Sequence, residues 1–297
     1  MARDDHQLIH YPASRLGTID LGMIGGRKHH VAGLIEIDVT DALRREGQTF
    51  FFAWIVSAIG RCIAADRSVH ALRGRGRQLV LFDNVDITVI VEKKVEGSRV
   101  PLPLVIREAD RKSTREIHRE IRQAQRQSVQ DEGDYVLASG GEQQDPERPT
   151  RGPGLDAGSR PRTQPSARAM RLFYRLPGRI RVAMMRLILK NPFRAKAMMG
   201  TVVVTSIGSV GRLPGWVIPR SMHNLCFALG SVIRKPWVVG DRIEIREILH
   251  MTVLFDHDVV DGAPAARFMI NLVERLEGRA ASEIAPREQG PTGSLPH

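Results

Sequence analysis

The sequence predicts an α/β domain, and three observations carry that expectation. Near the C-terminus, Ile243 and Ile245, then Met251, Val253 and Phe255, recur at every second residue, the period of a strand with one buried face. Beyond Gly262, residues Ala265, Phe268, Met269, Leu272 and Leu276 recur at three- and four-residue spacing, the period of a helix that packs one face. The chain has 297 residues, 42% hydrophobic and 26% charged, enough to bury one large core or two smaller ones.

The same C-terminal unit holds the residue that points to chemistry. Residues 249–255 form a mostly apolar run that passes through Asp256 into His257-Asp258-Val259-Val260-Asp261-Gly262. Two strand segments, around 243–245 and 251–255, are expected to end with His257 at the mouth of a sheet. Gly262 marks the turn into a helix that aims the imidazole. Histidine exchanges a proton near neutral pH, and a carboxylate four residues on, Asp261, can orient the ring or anchor the turn through a basic partner. The alternative is a core histidine beside a helix cap, since six residues make a short motif.

Upstream, Arg73-Gly74-Arg75-Gly76-Arg77 lacks the ending of a phosphate loop and precedes a strand over 78–82, so it reads as an exposed turn. Ser113 and Glu116 form a capping box for a polar helix that runs to about Gln127. Residues 130–166 are crowded with Gly, Pro, Asp, Glu and Arg and lack apolar periodicity, which marks a flexible insertion or linker. Residues 167–199 read as one or two basic amphipathic helices, broken near Pro177-Gly178 and Asn191-Pro192. Three roles are open to these helices: packing on the protomer or its neighbour, lying on a membrane surface, or receiving an acidic carrier.

Several segments stand in an order and at spacings that carry a family likeness. Residues 33–40 (GLIEIDVT) fit a first core strand and 49–60 (TFFFAWIVSAIG) its following helix, while 100–110 and 111–117 fit a strand-and-helix unit. Residues 200–208 (GTVVVTSIG), Gly230 with Lys235-Pro236, and the turn over 257–262 complete the series. Together they resemble the catalytic domain of the dihydrolipoamide acyltransferases of 2-oxo-acid dehydrogenase complexes, which shares its fold with chloramphenicol acetyltransferase. The resemblance implies a single two-layer α/β (α+β) acyltransferase-like domain over 1–297, in a stand-alone form without a lipoyl domain. Its two halves combine into one core around 130–166 and 167–199, where the chain departs from the family's shorter link. The resemblance also implies a trimer with the active site at the subunit interface.

Acyl transfer between thiols explains what the matched residues would do. A thiol with an ordinary pKa of about 8.5 is mostly protonated at neutral pH, so a base must take its proton as it attacks a thioester carbonyl. His257 matches the family residue in that role. Charge then builds on the carbonyl oxygen, and a hydroxyl aimed at it contributes about 100- to 1000-fold in rate. Thr205 matches the oxyanion donor, with Ser206 a second hydroxyl beside it; backbone hydrogen bonding is the alternative for both. Asp261 matches the family aspartate that holds the loop through an ion pair, and Arg15 is the partner to test. Asp258 stands where the family has arginine, a charge reversal that can raise the histidine pKa or repel the phosphates of coenzyme A. Coenzyme A or acyl-coenzyme A is the implied substrate, with a lipoyl group supplied in trans by a lipoyl or acyl carrier protein. Coenzyme-A-dependent acylation of a small hydroxyl or amine acceptor, and a noncatalytic trimeric scaffold of the same fold, stay open.

Composition narrows the remaining classes. Cys62 and Cys226, the two cysteines, each sit in an apolar stretch, which points to core thiols in a reducing compartment and not to a disulfide framework. The N-terminus starts without an apolar core, so no signal peptide is expected, and the apolar run over 50–60 is short of the roughly 20 residues of a membrane span. A cytoplasmic location follows. The formal charge is +11, but aromatic residues make up 5% and no zinc-finger or stacking pattern accompanies the charge, so no nucleic-acid partner is expected. His29-His30 and the other histidines lack ligand spacing, and no metal is expected.

Overall fold

A computed structural model of the protein describes residues 13–95, 98–126, 172–208, 211 and 213–278. Helix α1 (Ala13–Gly25) leads into strand β1 (His30–Asp38) and helix α2 (Thr40–Ala65). A short 3-10 turn, Arg67–His70, and the ribbon of β2 (Leu72–Arg73) and β3 (Leu79–Val80) bring the chain to β4 (Ile87–Val95) and β5 (Ser98–Ile106). Helix α3 (Thr114–Arg126) follows. The second half contains α4 (Gly178–Leu189), α5 (Pro192–Met199), β6 (Val202–Ser206), β7 (Leu225–Val239), β8 (Arg242–Asp256) and α6 (Gly262–Leu276).

Strands from both halves interleave in one six-stranded mixed sheet of order β1-β8-β7-β6-β4-β5. Strand β6 joins the halves, since it runs parallel to β4 on one side and to β7 on the other. Strand β1 pairs antiparallel with β8 from His30–Asp256 to Asp38–Ile248. The expected two-layer α/β architecture is therefore present, with the mixed sheet as one layer and helices on one face making the second. Residues 130–166 and 167–171 lie outside the described residues.

Helices α2, α3 and α6 cover that face. Ile55, Ile59 and Ile63 of α2, Ile117 of α3, and Phe268 and Leu272 of α6 pack on Ile37, Val89, Val204, Phe227, Met251, Val253 and Phe255 of the sheet. Phe268 meets Phe227 and Phe255 at ring-centroid distances of 6.2 and 6.0 Å. It pins α6 behind the end of β8, and its truncation to alanine would cost about 3–5 kcal/mol. The opposite face carries a smaller cluster, Val203, Cys226 and Leu254 with Ile90 beside it. Both cysteines are buried free thiols, and burial pushes Cys62 up to about 11 and Cys226 up to about 12.

Three expectations are corrected. The two strand segments near the C-terminus are one strand, because β8 pairs with β7 as a 15-residue hairpin arm from Arg242 to Asp256, with a register shift between Leu229 and Val232. Pro236 sits within β7, where β6 has already ended at Ser206–Leu229, so its missing N–H breaks no ladder on that side. The helix expected over 49–60 starts at Thr40 and is kinked at Gly47, whose φ of 68° suits glycine. Its 26 residues are long and apolar enough, by length and composition alone, to cross a membrane, contrary to the reading of 50–60. Ile55, Ile59 and Ile63 instead form the core beneath the sheet.

Of the basic helices, α4 and α5 break where Pro177-Gly178 and Asn191-Pro192 predict. Asn191 caps α5 by accepting from the Phe193 and Arg194 amides at 3.0 and 3.2 Å. Helix α4 packs on α1 through Arg181, which is buried and donates to Asp20 at 2.7 and 3.1 Å and to the Leu176 carbonyl at 2.6 Å.

Candidate active site

His257 is exposed, one residue past the end of β8. Its backbone N–H donates to the His29 carbonyl at 2.9 Å, which ties the turn to the start of β1. The turn itself is organised by Asp256, which is 2% exposed. The Asp256 carbonyl accepts from Val259 and Val260 at 2.9 and 3.0 Å, its N–H donates to the Asn224 carbonyl at 2.8 Å, and its carboxylate accepts from Asp258 N–H at 3.3 Å. Lys28 Nζ lies 2.7 Å from Asp256 Oδ2 and also donates to the Asn224 side chain, whose Nδ2 donates to the Ala71 carbonyl at 2.8 Å. A buried carboxylate with a paired ammonium and several hydrogen bonds fixes a turn as an unpaired one would not.

Asp258 is not a free negative charge beside His257. Its carboxylate is held by His29 Nδ1 and by Arg73 Nη1, each at 3.0 Å. The hydrogen bond from His29 and the nearby positive charges hold Asp258 below the usual carboxylate range, and the same bond raises His29 above the ordinary histidine value. Arg73, at the start of the segment expected as an exposed turn over 73–77, therefore clamps the turn that carries His257.

Thr205 sits near the end of β6, half-buried, on the face opposite the α2–α3–α6 layer. Its hydroxyl has no hydrogen-bond partner among the described residues. Ser206 Oγ, by contrast, accepts from Gly208 N–H at 3.2 Å, so the backbone-bonding alternative is met at Ser206, although this bond uses an oxygen lone pair and not the Ser206 O–H. Gly208 has only ordinary contacts and Gly211 has open space, whereas Gly230 on β7 is the tight one, with the Gly215 and His250 carbonyls 3.0 Å from any added Cβ.

Within one chain Thr205 and His257 do not meet. Thr205 lies opposite Ala228, and Ala228 lies opposite Thr252, so Thr205 is two strands away and level with a residue five positions before His257. At about 3.3 Å per residue and 4.8 Å per strand, that is roughly 17 Å along the sheet and 10 Å across it.

Asp261 is exposed and takes the N-cap position of α6, with φ −76° and ψ 164°, but its side chain makes no cap hydrogen bond. No ion pair joins it to Arg15 among the described residues, because the cation holding this turn is Lys28, acting through Asp256. Sequence reasoning missed Lys28, His29, Arg73, Asn224 and Asp256. Asp256, a carboxylate ending an apolar strand, was the one visible signal; the others are distant in sequence and meet it only through strand register.

No group of three or more histidine, cysteine or carboxylate side chains is placed to hold a metal ion among the described residues. Residues 190–283 match the family of 2-oxoacid dehydrogenases acyltransferase (catalytic domain). The chain is 35% identical over 77 residues to the dihydrolipoyllysine-residue acetyltransferase component of pyruvate dehydrogenase complex of Acholeplasma laidlawii, and 37% identical over 82 residues to that of Zymomonas mobilis. These matches take in 26% and 27% of this chain but 14% and 19% of the two relatives, so the chain spans a small part of their length. In structure it is similar to a probable dihydrolipoamide acetyltransferase from Listeria monocytogenes, with a TM-score of 0.61, 17% identity, and 95% of this chain and 99% of that one covered. The truncated catalytic core of the 2-oxoacid dehydrogenase multienzyme complex from Thermoplasma acidophilum gives a TM-score of 0.54 at 17% identity, covering 93% and 100%.

Proposed function

We propose that this chain, whose fold is that of the dihydrolipoamide acyltransferase catalytic cores, transfers an acyl group between a thioester and an acceptor thiol at a site shared by two copies. The observation that carries the reading is the separation of Thr205 from His257 in one chain, while each is available for chemistry where it stands. The match over 190–283 spans both residues. A second copy, in a trimer, would bring one copy's His257 to the other's Thr205. The β7–β8 hairpin offers apolar surface for such contact, since Val238, Ile243 and Ile245 are exposed at 70%, 76% and 67%.

In the proposed reaction the His257 imidazole takes the proton from the acceptor S–H as the sulfur attacks the thioester carbonyl carbon. The carbonyl π electrons move onto oxygen, where the Thr205 O–H donates a hydrogen bond to the tetrahedral intermediate. Collapse reforms the carbonyl, breaks the original C–S bond, and returns the proton from the imidazolium to the departing thiolate. Asp258, neutralised by Arg73 and His29, presents no bare charge to the phosphates of coenzyme A, which supports coenzyme A and a dihydrolipoyl group as the two thiols. The lipoyl group would come from a separate carrier protein. Asp261 keeps the lesser task of starting α6, and an ion pair to Arg15 of a neighbouring copy belongs to the same proposal. A cytoplasmic site of action is in keeping with the buried free thiols.

The test is thioester-to-thiol transfer by purified protein, with acetyl and branched acyl donors on coenzyme A and free dihydrolipoamide as acceptor. Loss of at least about 100-fold in His257→Ala supports general-base transfer. No turnover with any donor by a folded oligomer would instead favour a noncatalytic scaffold.

A further inference from the structure

Helix α4 carries three distinct stripes. At 3.6 residues per turn, Arg181, Val182 and Met185 share the side turned inward, where all three are buried. Ile180, Met184 and Leu187 share the opposite, outward side, and they are 47%, 44% and 69% exposed. Arg179, Arg186 and Lys190 form a third stripe about a quarter of a turn from the outward one. Arg186 donates to the Met23 carbonyl at 3.1 Å, which places the cationic stripe beside another exposed apolar residue on α1, Met23, 49% exposed.

The buried Arg181–Asp20 pair settles which side of α4 belongs to the protein core, so the outward stripe is not surface awaiting burial by α1. A helix in a soluble protein ordinarily turns polar residues outward. Here the outward residues are aliphatic, and residues 167–199 contain no Asp or Glu at all. Pairing this face with the same face of another copy would set like charges against each other, so the face calls for an anionic occupant. The aromatic anchors that dominate protein–protein hot spots are absent from the stripe. An aliphatic stripe beside a cationic one is the pattern of a helix lying in the interface of an anionic bilayer.

We infer that α4 docks the protein on an anionic membrane surface, with Ile180, Met184 and Leu187 entering the acyl boundary and Arg179, Arg186 and Lys190 meeting the headgroups. The contact is peripheral and leaves the sheet and its core intact.

Co-sedimentation of the full chain with vesicles of phosphatidylcholine containing about one third phosphatidylglycerol tests this, with pure phosphatidylcholine as reference. The protein should bind the anionic vesicles and not the neutral ones. Arg179→Gln with Lys190→Gln should weaken binding by about fivefold per charge removed. Met184→Ser with Leu187→Ser, which leaves the charge unchanged, should weaken it by at least about tenfold. The replaced side chains are exposed, and an unchanged circular dichroism spectrum checks folding. If the serine variant binds as well as the parent, attraction is merely that of a +11 protein and the inference fails. It fails too if the parent ignores vesicles, whether the serine variant changes the oligomer mass, which would make the face an interface between copies, or the parent binds soluble poly-glutamate alone, which would make the partner an acidic protein.

Discussion

Lys28 Nζ stands 2.7 Å from Asp256 Oδ2, in a pair that fastens the start of the chain's first core strand to the residue before His257. The carboxylate is almost wholly buried and the ammonium only partly exposed, so the pair depends on both members. Removing Lys28 leaves an uncompensated charge in the sheet, and Lys28→Met should destabilise the protein by about 3 kcal/mol in urea unfolding. Asp256→Asn keeps most of the hydrogen bonds and should cost less. Equal stability of Lys28→Met and the parent would show that the pair does not hold the turn.

Acid should destabilise the protein well above the carboxylate range. Burial drives both His70 and His223 down to about 4, whereas they titrate near 6.5 when unfolded. Between those values the unfolded chain binds more protons than the folded one, so stability is full above about 6.5 and falls as the pH drops toward 4, by at most about 1.4 kcal/mol per pH unit for each histidine. Urea midpoints at pH 7, 6 and 5 should decline, and His223→Gln should flatten the decline. A parent profile flat over that range would contradict the assignment.

The hydroxyls beside each other on β6 should separate clearly. Thr205→Val should lower kcat of the proposed transfer by about 100-fold or more with little change in stability, because the Thr205 hydroxyl has no hydrogen-bond partner among the described residues. Ser206→Ala removes only a bond to Gly208 and should leave kcat within about threefold of the parent. The reverse order would move the oxyanion role to Ser206.

His29 reports on Asp258 from the exposed side of the turn. In Asp258→Asn the His29 pKa should fall back toward the ordinary value, as read by NMR titration of the ring protons. Arg73→Ala should leave the His29–Asp258 bond in place and His29 still raised. A His29 pKa indifferent to Asp258 would mean the three residues do not form one cluster.

Much of this was legible in the sequence because period and position coincide. The apolar alternation of β8 and the three-four spacing of α6 placed His257 between them, and the Ser113–Glu116 capping box is observed, with Ser113 N–H to Glu116 at 2.7 Å and Glu116 N–H to Ser113 at 3.3 Å. What stayed hidden depends on register. Asp258 looked like an isolated charge reversal, since nothing local says that β1 brings His29, and the ribbon brings Arg73, to its two oxygens. Asp261 matched a known pattern, yet the anchoring pair went to Asp256 because that carboxylate, inside the strand end, faces Lys28. A single β8 was read as two segments because its distal half, around Ile243 and Ile245, extends beyond the core.

The shared site is the central claim, and subunit mixing tests it most directly. His257→Ala and Thr205→Val, each expected to keep about 1% of the parent's activity or less alone, should be co-refolded in equal amounts and assayed for acyl transfer. If each site takes its histidine from one copy and its threonine from another, about one quarter of the sites in the mixed assembly regain both residues, and about one quarter of the parent's activity should return. Activity no greater than that of the two variants measured separately would contradict a site built between copies.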